Sequence, residues 1–139
     1  MSDRRLRQVA VALAVIGLGV AGYLTYVHYE GIKPVCGLGG DCEKVQTSAW
    51  AELAGVPVAL LGLIGYAAIL VTLFIEREEA LVAGALVALV GFGFSAYLTY
   101  LELFVIDAIC QWCVASAVLM TALLAVNAAR AYGYFGREP

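Results

Sequence analysis

Gly17-Leu18-Gly19-Val20-Ala21-Gly22-Tyr23-Leu24-Thr25-Tyr26 returns, with its spacing intact, as Gly91-Phe92-Gly93-Phe94-Ser95-Ala96-Tyr97-Leu98-Thr99-Tyr100. The shared pattern is GxGxxxYLTY. Neither copy carries a charge, and each sits inside an apolar run of the length a membrane-spanning helix needs, about 20 residues. Small residues let helices approach closely inside a membrane, and tyrosines favour its interface. Those two needs explain the residue types. The copies agree further, because a cysteine lies 10 residues past the last tyrosine of each: Cys36 after the first, Cys110 after the second. The matched offset favours a duplicated helical hairpin. In either case the first and third helices cross in the same direction and bring cysteines to the same side.

Working outward from the repeat, four apolar stretches appear, at about 8–29, 56–75, 80–103 and 109–132. Each is read as a transmembrane helix. The first follows Arg4, Arg5 and Arg7 as a signal peptide would, but it outruns the roughly 7–15 apolar residues of a signal core. It is read as a retained helix. Composition agrees: 63% of the 139 residues are hydrophobic and 14% are charged, against about 25% charged in soluble domains. Mean hydropathy is +0.92. One aqueous core could not hide that much apolar surface. The fold class expected is all-α: an integral membrane four-helix bundle, a single domain over 1–139. The net charge of −3 and the absence of a basic tract argue against nucleic-acid binding.

Lys and Arg set the orientation. Arg4, Arg5, Arg7, Arg77, Arg130 and Arg137 fall on one side, and only Lys33 and Lys44 on the other. Both termini are therefore expected in the cytoplasm of a cell (inner) membrane protein, with Glu76-Arg77-Glu78-Glu79 as a tight inner turn. The loops between helices 1 and 2 and between helices 3 and 4 face the periplasmic or extracellular side. The first of these, about 30–55, is the only sizeable soluble segment. From Cys42 to Ala54 its pattern turns helical, with Val45, Ala49 and Leu53 on one stripe, Asp41 as N-cap and Trp50 at the interface. It reads as a short amphipathic lid helix across the bundle mouth.

All four cysteines fall in or beside these outward segments. Cys36 and Cys42 flank Gly37, Gly39 and Gly40, which leave the loop wide backbone freedom. Cys110 and Cys113 form a CxxC at the start of helix 4, where Asp107 can cap and the helix N-terminus stabilises a thiolate. Residues i and i+3 are neighbours on a helix, so this pair can close into a disulfide and reopen, with Cys113 deeper and within reach of a lipid-soluble oxidant. The arrangement suits a relay in which an external dithiol reduces Cys36–Cys42 and Cys42 attacks the second pair. Two structural disulfides on a non-catalytic membrane scaffold are the rival reading. Four thiolates around zinc are a third. A relay by thiolate attack needs no metal.

At these residues the sequence resembles the vitamin K epoxide reductase family, particularly its bacterial and archaeal members. The resemblance spans nearly the whole chain: four helices, the loop pair Cys36/Cys42, Ser48 within Cys42-Glu43-Lys44-Val45-Gln46-Thr47-Ser48-Ala49-Trp50, and the CxxC at Cys110/Cys113. It implies a thiol-disulfide oxidoreductase that supports disulfide-bond formation. Cys36 would form the mixed disulfide with a thioredoxin-like (DsbA-like) protein. Cys42 would pass electrons to Cys110, and Cys113 would reduce a quinone of ubiquinone or menaquinone type. Ser48 would support the quinone headgroup or the local fold. Two positions depart from the animal members, which have an Asn and a Tyr where Val58 and Ala117 stand here, so quinone reduction is favoured over epoxide chemistry. Some homologues carry a fused thioredoxin-like domain; here the partner is expected to act in trans. The DsbB-type family also has four helices and two cysteine pairs but in the reverse order, which argues against it.

Other candidates carry less. His28 reads as an interfacial anchor that could supply protons. Glu102 and Asp107 show no recognisable carboxylate pairing. Tyr23, Tyr26, Tyr97 and Tyr100 read as interface residues rather than quinone contacts.

Overall fold

The computed structural model describes residues 3–30, 52–53, 55–105 and 111–136, without side chains at 52 and 53. Four helices carry the fold: α1 Asp3–Glu30, α2 Val58–Leu73, α3 Glu78–Phe104 and α4 Gln111–Gly136. A two-stranded ribbon, β1 Glu52–Leu53 and β2 Val56–Pro57, precedes α2. The helices run alternately up and down in a closed ring. α1 packs on α2 and α4, and α3 packs on the same two neighbours. α1 and α3 therefore run parallel on one diagonal, as the repeat requires.

The core is a set of inward stripes at helical spacing. On α1 it is Ala10, Ala14, Gly17, Ala21 and Leu24, all buried. On α2 it is Tyr66, Ile69 and Leu73, and on α4 Met120, Leu123 and Asn127. On α3 Ala80, Gly84, Ala88, Leu101 and Glu102 are buried as well. Many of the remaining helix residues are apolar and turned outward: Val90, Ile64, Val71 and Val118 are among the exposed large hydrophobics. A bundle that turns this many large hydrophobics outward has the inverse of a soluble surface, and lipid is the solvent that suits it.

Three helices are long and apolar enough to cross a membrane. α2 is shorter, at 16 residues, or about 24 Å at about 1.5 Å per residue. Its apolar stretch was expected over 56–75. Pro57 ends it at one side as the N-cap, and Phe74 closes it at the other. Val56, Phe74 and Ile75 continue the apolar surface beyond the helix.

The ribbon corrects one expectation. Leu53 was placed on the lid-helix stripe that reached Ala54, yet Glu52 and Leu53 are extended and pair antiparallel with Pro57 and Val56. The local cause is Gly55-Val56-Pro57. Gly55 takes φ 83, a value that favours glycine, and a residue before proline is driven to extended backbone. The rest of the expected lid helix, with Ser48 and Trp50, lies outside the described residues.

The α2–α3 turn sits two residues earlier than expected. Phe74 N–H donates to Val71 O at 3.1 Å, and Glu78 and Glu79 already form the first turn of α3, where acidic side chains suit the helix dipole. At this end of the bundle Arg7 pairs with Glu76 at 3.1 Å and Arg130 with Asp3 at 3.2 Å. Both pairs have a well-exposed carboxylate, so they align the helix ends more than they stabilise them.

Candidate functional site

The opposite end of the bundle carries the chemistry. Cys113 lies on α4 near its described start, half-buried. Below it, at helical spacing, follow Ser116, Met120, Leu123 and Asn127, which makes Cys113 the top of the inward stripe. Trp112, beside it in the CxxC, stacks at 5.0 Å and 47° on Tyr23 of α1. Tyr23 was expected at the membrane interface. It packs against α4, whereas Tyr26, Tyr97 and Tyr100 are exposed. The Tyr23–Trp112 contact fixes the rotation of α4 against α1, and with it the direction of Cys113.

One turn further in, the Tyr66 hydroxyl donates to Ser116 O at 2.8 Å and lies 2.8 Å from Ser116 Oγ. Tyr66 is fully buried, and it reaches across the bundle from α2 because Gly17 on α1 leaves room for its ring. A Cβ at Gly17 would overlap that ring. The first glycine of the repeat thus seats Tyr66, and Tyr66 in turn holds the α4 backbone just below Cys113. Sequence reasoning missed Tyr66, because a tyrosine in an apolar run reads as one more membrane residue.

A cavity of about 500 Å³ lies between the helices at this end. Cys113, Ser116 and Met120 form its α4 wall; Gly91, Ser95, Leu98, Thr99 and Glu102 its α3 wall. Ala21 and Leu24 close it from α1, and Val58, Gly62 and Gly65 from α2. Leu61, Leu86 and Val90 line the cavity and are also exposed on the bundle surface. The cavity therefore opens sideways between α2 and α3, toward lipid. Its volume falls in the range of small-molecule sites, about 300–1,000 Å³. Its wall is apolar except for the thiol, a few hydroxyls and one carboxyl, which suits a lipid-soluble ring with polar oxygens.

The repeat shapes this cavity twice over. Ala21 and Leu24 of the first copy and Ser95 and Leu98 of the second occupy matched positions and all line it. Thr25 Oγ1 donates to Ala21 O at 2.7 Å, and Thr99 Oγ1 to Ser95 O at 2.8 Å, again at matched positions. Gly17 and Gly91 both face a neighbouring helix closely, while Gly19 and Gly93 both face open space.

Of the site residues expected from sequence, Cys113 is in the cavity wall. Val58 and Ala117 lie on α2 and α4 at this end, and Val58 lines the cavity. Cys36, Cys42, Ser48, Asp107 and Cys110 lie outside the described residues. His28 is half-buried near the end of α1 with its ring edge-on to Tyr29 at 5.8 Å.

A four-helix membrane bundle with a thiol in the wall of a lipid-open apolar cavity defines a class: a multi-pass membrane protein built for redox chemistry. Residues 8–128 match the model of the Vitamin K epoxide reductase family, and the chain belongs to that family. It is a membrane oxidoreductase.

Proposed function

We propose that the protein is a quinone-dependent thiol oxidoreductase that supports disulfide-bond formation outside the cytoplasm. It oxidises a thioredoxin-like (DsbA-like) dithiol protein. A thiolate of the partner opens the Cys36–Cys42 disulfide and joins Cys36 in a mixed disulfide, which frees Cys42. The partner's second thiol then displaces Cys36, so the partner leaves oxidised and the first pair is left as a dithiol. Cys42 in its dithiol form then reduces the Cys110–Cys113 disulfide by thiolate exchange. Reduced Cys113 delivers the two electrons to a membrane quinone of ubiquinone or menaquinone type. Ser48 supports the headgroup from the loop side.

One observation carries this reading: Cys113 lines an apolar cavity that opens toward lipid between α2 and α3. A thiol serving a structural disulfide has no need of such a cavity. A lipid-soluble acceptor needs it, because the headgroup must leave the bilayer core to meet a thiolate while an isoprenoid tail stays in lipid. Tyr66 and Trp112 hold α4 so that Cys113 faces the cavity. Val58 and Ala117 offer no hydrogen-bonding group at positions where the animal members have Asn and Tyr, which favours quinone over epoxide as the acceptor.

The test is quinone reduction by the purified protein with dithiothreitol or a reduced thioredoxin-like protein as donor. Cys113→Ala should abolish turnover with both donors. Cys36→Ala should abolish turnover with the protein donor and spare much of it with dithiothreitol. Full quinone reduction by Cys113→Ala would remove Cys113 as the terminal donor. Cysteines that stay oxidised when the protein donor is added would leave only a disulfide-braced scaffold.

A further inference from the structure

Glu102 is 3% exposed, near the end of a helix whose neighbouring residues Leu103, Phe104 and Val105 are exposed. It sits on the inward stripe of α3 with Gly91, Ser95 and Leu98, and it lines the same cavity as Cys113. A carboxyl that faces the interior of a membrane bundle is costly, and it marks a path for protons or ions more often than a packing need. Among the described cavity residues, Glu102 and Cys113 are the two with an ionisable side chain. The hydroxyls nearby are engaged in other bonds: Thr99 donates to Ser95 O, and Ser116 meets Tyr66. His28, the counterpart of Glu102 in the repeat, does not line the cavity.

We propose that Glu102 is a catalytic proton carrier for the acceptor in this cavity, taking the proton that leaves Cys113 and giving it to an acceptor oxygen. The proposal rests on the quinone reading above. A dithiol and a quinone react to give a disulfide and a quinol, with two electrons and two protons transferred. The S–H bond of Cys113 breaks as its thiolate forms, and the Glu102 carboxylate accepts that proton. The electron pair passes to the quinone as the Cys110–Cys113 bond closes. Glu102 then protonates one reduced oxygen and ends as the carboxylate it began as. The second proton is the one released by Cys110, and it goes to the other oxygen. No further reductant or oxidant is required.

The experiment uses the full chain in lipid nanodiscs, with dithiothreitol as donor and a short-tailed quinone as acceptor. Glu102→Gln keeps the size and the hydrogen bonding of the side chain but cannot carry a proton. It should lower kcat about 100-fold, the low end of the usual contribution of a general acid–base group, with KM for the quinone retained. The pH profile of kcat should change shape. A second readout is independent of turnover: the infrared difference spectrum between oxidised and dithiol-reduced protein. The wild type should show a carboxyl band that is absent in Glu102→Gln and shifted in Glu102→Asp.

A folded Glu102→Gln with wild-type kcat and pH profile would overturn the proposal, as would a wild-type spectrum with no carboxyl band. Should Glu102→Gln fail to fold, the shift of the band in Glu102→Asp decides the matter: a shift supports the proposal, and an unmoved band assigns it to another carboxyl and overturns it. A wild-type protein that reduces no quinone would instead overturn the reading beneath it.

Discussion

Two glycines in one motif do unlike work. Gly17 is buried against the Tyr66 ring, and any side chain there would overlap it. Gly19, two residues on, faces open space. Tyr66 has nowhere to retreat: it is fully buried and its hydroxyl is tied to Ser116. Gly17→Ala should therefore destabilise the bundle by about 1–3 kcal/mol, the usual cost of overpacking a tight core. Gly19→Ala should stay within about 0.5 kcal/mol of the parent, as a surface change does. Unfolding of the two variants in detergent micelles measures the difference, and equal losses would remove the close approach as the reason for Gly17. Gly17→Ala should also slow any reaction that depends on Cys113, because Tyr66 anchors the α4 backbone one turn below it. The glycine spacing was legible in the sequence; which glycine does the packing was not, since that depends on a tyrosine more than forty residues away in the chain.

At the scale of helices, the α3–α4 contact sets the size of the cavity. Gly91 and Met120 both line it, and a Cβ at Gly91 would lie 2.7 Å from Met120 Sδ. A thioether chain can swing aside where an aromatic ring cannot. Gly91→Ala should thus cost less stability than Gly17→Ala, about 1 kcal/mol or below, but the displaced Met120 has the cavity to move into. The expected result is a raised KM for a short-tailed quinone, with restoration by Met120→Ala in the same chain. A double-mutant cycle checks this, and additive effects would show that the two residues act separately. The helices were legible because apolar length leaves little choice in a membrane; which face of each turns inward was not, since the apolar residues run around the whole helix. The ribbon at Glu52–Pro57 was not, because the Val45, Ala49, Leu53 spacing also fits a helix. There the local demands of Gly55 and Pro57 outweigh the pattern. Glu102 offered the sequence no carboxylate pairing; its place on the stripe with Gly91, Ser95 and Leu98 was the signal that put it inside.

The whole molecule is polarised along its axis. One end holds the ion pairs Arg7–Glu76 and Arg130–Asp3 and the α2–α3 turn. The other holds Cys113, Glu102 and the cavity. Six of the eight Lys and Arg residues belong to the first end by sequence, which the positive-inside rule assigns to the cytoplasm. Neither ion pair involves enough burial to fix that orientation, since Glu76 is 81% exposed and Asp3 48%. Single cysteines in an otherwise cysteine-free chain report it directly. Glu30→Cys, exposed at the cavity end, should react with a membrane-impermeant maleimide in intact cells. Glu79→Cys, exposed at the other end, should react only after the membrane is opened. Both positions leave the basic residues untouched, so the probe does not disturb what it measures. The reverse pattern would place the thiols in the cytoplasm, where glutathione and thioredoxin keep cysteines reduced. The flow of electrons proposed above, from a secreted dithiol toward quinone, would then have no donor.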